Sequence, residues 1–219
     1  MTALQLVQKV LVEKLRLNSV STIAGASGYT LNVLWALNEI QRELLDDYNW
    51  KKLKKTGSIT LANGTDLYDL ASDIHRMLNL YYQVDDGSDD DIPQITLVPD
   101  NRWIVHSAQD VTDGKPYIAR EFGVSATNVP QIQVYYIPGS AQVGTKIYYD
   151  YIKQVSDLSA NADLSPFDDH LLILGATLKL KDQNGNASGL DFDMYLAAKN
   201  KAMMRDGANR GKKLAYRDI

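Results

Sequence analysis

In residues 2–17 the apolar positions Leu4, Val7, Leu11 and Leu15 recur every three or four residues, the interval that lines side chains along one stripe of an α-helix. A first helix is predicted there. Residues 18–29 are rich in Ser, Gly and Ala and read as a loop that reverses the chain. Thr30 can cap the next element. Val33, Leu37, Ile40, Leu44 and Tyr48 then step through a second helix of about four to five turns at the usual rise. Trp35 lies off that stripe and needs another neighbour. Trp50 closes this helix, and Lys51, Lys52, Lys54 and Lys55 come after it as a compact positive run.

After Gly57 the periodicity changes. Residues 58–61, the turn Ala62-Asn63-Gly64-Thr65 and residues 66–70 read as a hairpin, because Asn-Gly tolerates the positive φ that a tight turn demands. Further strands are predicted at residues 77–84, with Tyr81 and Tyr82 on opposite faces of the pleat, and at 95–98, 117–122, 131–137 and 145–154. Their apolar positions alternate, which suits a half-buried antiparallel sheet. A short helix is predicted at 100–108, capped by Asp100 or Asn101.

Residues 157–163 form a linker of Ser, Asn and Asp that returns the chain to helix. Ser165 can cap, Pro166 fits the first helical position, and Asp168 sits where a capping box puts its acid. Leu171, Leu172, Leu174 and Leu178, widened by Ile173 and Leu180, are more than a lone surface helix leaves in water, so partner helices are required. Gln183-Asn184-Gly185-Asn186 stops this helix. Leu190, Met194, Ala197 or Ala198, and Lys201 describe the last one. The pattern predicts an α+β chain: N- and C-terminal helices (residues 1–55 and 156–205) forming a four-helix bundle, a central antiparallel β-rich insertion (56–155), and an extended C-terminal tail (206–219).

Composition narrows the functions open to this layout. At 219 residues, 45% hydrophobic and 23% charged, the chain can bury a core as one large domain or two small ones. Its 23 Lys and Arg against 27 Asp and Glu give a net charge of -4, which argues against a chain that coats nucleic acid. The lysine run is then better read as a solvated complement to a helix end than as a set of phosphate contacts. With no cysteine there is no disulfide framework, thiolate nucleophile or cysteine-ligated metal. Lys9, Glu13, Lys14 and Arg16 interrupt the first helix, so it is neither a signal-peptide core nor a membrane span, and no other segment spans a bilayer. Thirteen tyrosines against three phenylalanines suit half-wet surfaces such as subunit contacts, or ordinary sheet faces.

Candidate chemistry is sparse. Asp85, Asp86, Asp89, Asp90 and Asp91 crowd one loop, but its Gly comes too early for a calcium loop and no closing Glu appears; a solvated tip is the simpler reading. His75, His106 and His170 are scattered, and Asp169 points to a different side of a helix from its neighbour His170. No phosphate loop, nucleophile elbow or HExxH motif is present. No catalytic residue, metal or cofactor is therefore assigned, and the chain reads as a non-enzyme. A small intracellular hydrolase with an Asp/His site assembled in space is the rival from another class.

The closing residues 206–219, DGANRGKKLAYRDI, keep neither period. They are either a frayed tail or a segment that docks into a partner's groove, since cations and apolar anchors interleave in it.

The helix ending in Asp47-Tyr48-Asn49-Trp50, the Ser58-Ile59-Thr60-Leu61 and Asp66-Leu67-Tyr68-Asp69-Leu70 segments, the strand Lys146-Ile147-Tyr148-Tyr149-Asp150-Tyr151, and Ser165-Pro166-Phe167-Asp168-Asp169-His170 leading a helix occur in a characteristic order. In that order and spacing the whole chain resembles the head-to-tail connectors, or portal adaptors, of tailed bacteriophages. One departure is that the family's usual Leu-Pro after the second hairpin strand is Leu70-Ala71 here. The resemblance implies a structural virion protein, a homo-oligomeric ring usually of twelve copies, that sits below the portal protein, carries the tail nozzle or next tail component, and surrounds the channel through which DNA is ejected. DNA would pass without specific binding, and no membrane would be involved. The protein would lie in the virion at the portal–tail junction, and in the host cytoplasm during tail assembly. The C-terminal extension would bind the portal, Leu214 and Tyr216 becoming buried while Arg210, Lys212, Lys213 and Arg217 pair with carboxylates. A tail-side stopper or completion protein is the alternative within the same class, and it would not need the basic extension. A monomer is expected before portal contact, because a tail that orders on binding withholds assembly until its receptor appears.

Overall fold

A computed structural model describes residues 1–82, 94–107 and 114–207. In chain order the elements are α1 (Ala3–Lys9), a π-helical turn (Val10–Lys14), α2 (Gly28–Asp47), a 3-10 turn (Lys51–Leu53), β1 (Lys54–Thr60), β2 (Leu67–Asp69), β3 (Ile74–Tyr82) and β4 (Gln94–Leu97). Next come α3 (Asp100–Ser107), β5 (Ile118–Val124), β6 (Pro130–Tyr135), a second 3-10 turn (Ser140–Gln142), β7 (Lys146–Lys153), α4 (Asp169–Gln183) and α5 (Gly189–Gly207). The fold is mixed α+β. Two compact units result, one from Met1–Leu53 with Val155–Ile219 and the other from Lys54–Gln154.

The first unit is helical. Thr2 and Gln5 exchange side-chain and backbone hydrogen bonds, Thr2 N–H donating at 2.9 Å and Gln5 N–H at 3.3 Å, a capping box that starts α1. Regular helix then gives way to the wider turn in which Leu15 N–H donates back five residues to the Val10 carbonyl at 3.0 Å, so the single helix expected over residues 2–17 is cut short. α2 begins two residues ahead of Thr30, at Gly28, and ends at Asp47 because Tyr48 is extended (φ -148°, ψ 144°). Trp50 lies in the corner beyond the helix rather than in its last turn. Its indole N–H still serves the helix end, donating to the Leu44 carbonyl at 2.5 Å.

α4 starts three residues later than Ser165 and Pro166 suggested. Asp168 is the cap, accepting from His170 N–H at 2.9 Å and Leu171 N–H at 3.2 Å. A carboxylate answers two orphan amides and the positive helix end together. Ser165 Oγ instead accepts from Phe167 N–H at 3.2 Å, a local turn that lets the Phe167 ring bury. α4 is apolar most of the way round, burying Leu171, Leu172, Ile173, Gly175, Ala176, Thr177 and Leu180, and α1, α2 and α5 all pack on it. That is how a helix of this composition escapes water. A Cβ on Gly175 would stand 2.8 Å from Ile40 and 2.9 Å from Tyr195, so this glycine permits the close approach of both neighbours. Among α5's residues only Tyr195 is buried.

The second unit is a seven-stranded sheet ordered β1-β7-β3-β4-β5-β6-β2. Ile59 and Leu61 from one edge meet Tyr68 and Leu70 from the other in a single core with Leu80, Ile132, Val134 and Ile147, so the sheet curls on itself. The expected hairpin is not made. β1 pairs with β7 and β2 with β6, placing the two at opposite edges. The Asn-Gly turn does form, with Thr65 N–H on the Ala62 carbonyl at 3.3 Å and Gly64 at φ 69°. Asn63 is not among the residues of positive φ, so this is not the twist-matched turn that folds a chain back on its neighbour. The sheet is not wholly antiparallel either. β4 and β5 run parallel, Thr96 opposite Ile118 and Leu97 opposite Ala119, because α3 supplies the crossover that parallel neighbours require.

Candidate interaction site

The end of α5 is fixed by the chain that leaves α2. Asp206 accepts from the Lys51 backbone N–H at 2.6 Å, Lys199 ion-pairs with Asp47, and the Tyr48 hydroxyl lies where a Cβ on Gly207 would meet it at 3.2 Å. Beneath this corner Tyr48 meets Trp50 edge-on at 5.1 Å, and Trp50 meets Phe167 at 5.4 Å. Edge-to-face packing of this kind adds to burial. Lys52 Nζ sits over both rings, 5.3 Å from Trp50 and 5.4 Å from Phe167. Burial there pulls its ammonium below the usual lysine range, against the pull of Asp206 and Asp168.

At the other end of α5, Lys181 donates to Asp191 at 2.6 Å and Ser188 holds the second carboxylate oxygen at 2.6 Å. These bonds, the lysine's first, lower the Asp191 carboxyl to about 2.

Three of the four lysines in the run have partners within the chain, Lys52 on the Trp50 and Phe167 rings. In the β unit Lys54 pairs with Asp150 at 2.7 Å and Lys55 reaches Asp73 at 4.0 Å. Neither resembles a side chain held out for phosphate. Three tyrosines of the sheet serve the fold through their hydroxyls. Tyr68 donates to the Thr65 carbonyl at 2.8 Å, Tyr149 accepts from Ala71 N–H at 2.9 Å, and Tyr151 donates to Asp73 at 2.9 Å. Burial, then the Asp73 bond, pushes Tyr151 up to about 12. Arg120 is stacked between Trp103 and Phe122, 5.0 and 5.1 Å from the ring centres.

The assigned portal-binding residues Arg210, Lys212, Lys213, Leu214, Tyr216 and Arg217 lie outside the described residues, as does the acidic loop at 85–91. What the structure supplies is the point at which that C-terminal segment begins. Sequence reasoning named Tyr48 only as part of the segment that ends α2 and assigned neither it nor Asp206 to fixing this helix end. The histidines are not gathered. His75 lies in β3 and bonds Gln154 at 3.0 Å, His106 lies in α3, and His170 opens α4. Among the described residues no group of three or more His, Cys, Asp or Glu is placed to hold a metal, and no helix is long and apolar enough to cross a membrane.

A helical unit and a curled seven-stranded sheet make a mixed α+β chain whose described residues gather no metal-holding cluster. Residues 1–216 match the profile of the family described as SU10 adaptor protein, and the chain belongs to that family of phage adaptor-type proteins. A comparison with curated proteins finds no match.

Proposed function

We propose that this protein joins the portal to the tail of a bacteriophage as one copy of a ring around the DNA channel, anchored to the portal by its C-terminal extension. The family match over residues 1–216 carries the reading. The helices of residues 1–55 and 156–205 form the ring wall as a four-helix bundle, and the insertion, 56–155, meets neighbouring copies or the tail nozzle. Residues 206–219 extend into clefts between portal subunits, where Leu214 and Tyr216 bury and Arg210, Lys212, Lys213 and Arg217 pair with acids. Twelve copies close the ring. The task is mechanical: it needs no catalytic residue, metal or cofactor, and DNA passes without specific binding. The protein works in the virion at the portal–tail junction and is assembled there from the host cytoplasm.

Purified protein mixed with its portal and viewed by negative-stain electron microscopy tests this directly. Portals capped by a ring are expected. Portals left bare at saturating protein contradict the proposal.

A further inference from the structure

β4 ends before its neighbours do. It lies between β3 and β5, antiparallel to the first and parallel to the second, and pairs Ile95 with Leu80, Gln94 with Tyr81, Thr96 with Ile118 and Leu97 with Ala119. The last bond of this ladder runs from Val98 N–H to the Ala119 carbonyl at 2.9 Å. Pro99 has no N–H to give, and the chain turns away into α3. β5 continues to Val124 with β6 alone beside it, and β3 starts at Ile74, ahead of the first residue that β4 reaches.

Where β4 stops, the sheet is one strand short. Its two neighbours are held two inter-strand spacings apart there, about 9.5 Å, which is room for a single extended chain. A hollow of about 170 Å³ occupies this place, and both flanking strands line it: Ile74 and Met77 from β3, Glu121 and Gly123 from β5, with Leu70 and Pro130. Cavities of about 150 Å³ admit a benzene-sized apolar group. Glu121 also borders a second hollow beside Leu97 and Val98, so it stands at the head of the gap. Backbone groups alternate in direction along a strand, and Ala119 gives its carbonyl to the β4 side. Two residues on, Glu121 turns its own N–H and carbonyl to the same side, past the point where β4 has left.

The gap states what it can hold. Glu121 is exposed, and among the described residues no cation pairs with it; its neighbour Arg120 is committed to Asp100 and Gln133 at 3.0 and 2.7 Å. A lone carboxylate at this point selects a cationic occupant. With a strand edge on each side, the gap takes only a segment free on both of its own edges, and β1 to β7 are already in the ladder. Residues 83–93 and 108–113 carry aspartates and no lysine or arginine, and the cationic C-terminal extension is assigned to the portal above. The occupant therefore comes from the other side of the junction.

We infer that the gap seats one extended segment of the next tail component, which pairs through its main chain with β3 and β5, drops an aliphatic side chain into the hollow and sets a lysine or arginine against Glu121. Strand addition of this kind takes affinity from the backbone and selectivity from the pockets. The inference rests on the connector reading above and names the surface that takes the tail.

Hydrogen exchange read by mass spectrometry is compared for the chain alone, the chain bound to portal, and the portal–tail complex taken from virions. Amides of β5 from Arg120 to Val124, and those around Met77 in β3, should exchange fast in the first two and about tenfold or more slower in the third. Protection in the chain alone would mean that the chain fills its own gap. Protection appearing on portal alone would mean that portal or a second copy fills it, and no protection in the complete complex that nothing does. Each of these overturns the inference, and each leaves the ring reading standing if electron microscopy shows portals capped by a ring; bare portals refute both. Glu121→Lys and Glu121→Gln give a second measure. Position 121 is exposed, so both variants should match wild type in circular dichroism and in capping portal. The fraction of capped portals that take up purified tails should fall about tenfold or more for Glu121→Lys, where like charges meet, and less for Glu121→Gln. Equal uptake by wild type and Glu121→Lys overturns the inference.

Discussion

Asn38 stands on the buried side of α2 with both ends of its carboxamide committed to a distant backbone. Nδ2 donates to the Leu158 carbonyl at 3.1 Å, and Oδ1 accepts from Leu158 N–H at 2.8 Å and from Gln41 Nε2 at 3.2 Å. This one side chain seats the linker that returns the chain to the helical unit. Removing it strands two backbone groups away from water, each costing about 1–3 kcal/mol, so Asn38→Ala is expected to lose about 2–4 kcal/mol in a denaturant titration. A polar residue between Leu37 and Ile40 is visible in the sequence; its partner, in a linker 120 residues on, is not, because no local pattern marks which backbone amide will need an acceptor. Asp191 gives a pH signature. Its carboxyl, lowered to about 2 by Lys181 and Ser188, binds fewer protons folded than unfolded between its folded and its ordinary pKa. Its contribution is therefore present above the ordinary carboxylate range and fades as pH falls towards 2. Melting of wild type and Asp191→Asn should differ at pH 5 and converge near pH 2.

At the scale of elements, which segments are helix and which are strand can be read from period; which strands pair cannot. β3 and β7 alternate well enough to be placed to within a few residues, yet nothing local says that β1 joins β7 across the length of the insertion. The Asn63-Gly64 turn misled because its signal fixes a reversal of direction, not a partner. The helix start misled because Ser165 and Asp168 are both competent caps, and burial of Phe167 decides between them. Gly57 shows what the pairing demands. It lies opposite Tyr149 in the β1–β7 ladder, and the ring folds over it so closely that a Cβ would meet the tyrosine hydroxyl at 2.5 Å. The tyrosine cannot easily yield, since its hydroxyl accepts from Ala71. Overpacking a fitted core costs about 1–3 kcal/mol, so Gly57→Ala should lower the denaturation midpoint correspondingly, despite the better strand propensity of alanine.

For the whole molecule, charge and anchoring make separate predictions. An acidic chain in which Lys52, Lys54 and Lys55 of the lysine run are packed or paired should bind duplex DNA weakly at physiological salt. Tight retention on a filter, lost steeply as salt rises, would contradict this. The class of the protein was legible through the order of unremarkable segments, from Trp50 through Tyr149 to Asp168. The contacts that fix the end of α5 were not, because Asp206 reaches the Lys51 amide and Lys199 reaches Asp47 only once the helices have packed. Co-sedimentation with portal, for the full chain and for a chain ended at Gly207, tests the anchoring claim most directly. The full chain should travel with portal, while the shortened one stays in the supernatant with unchanged circular dichroism and melting. A shortened chain that still sediments with portal as well as the full one would contradict it.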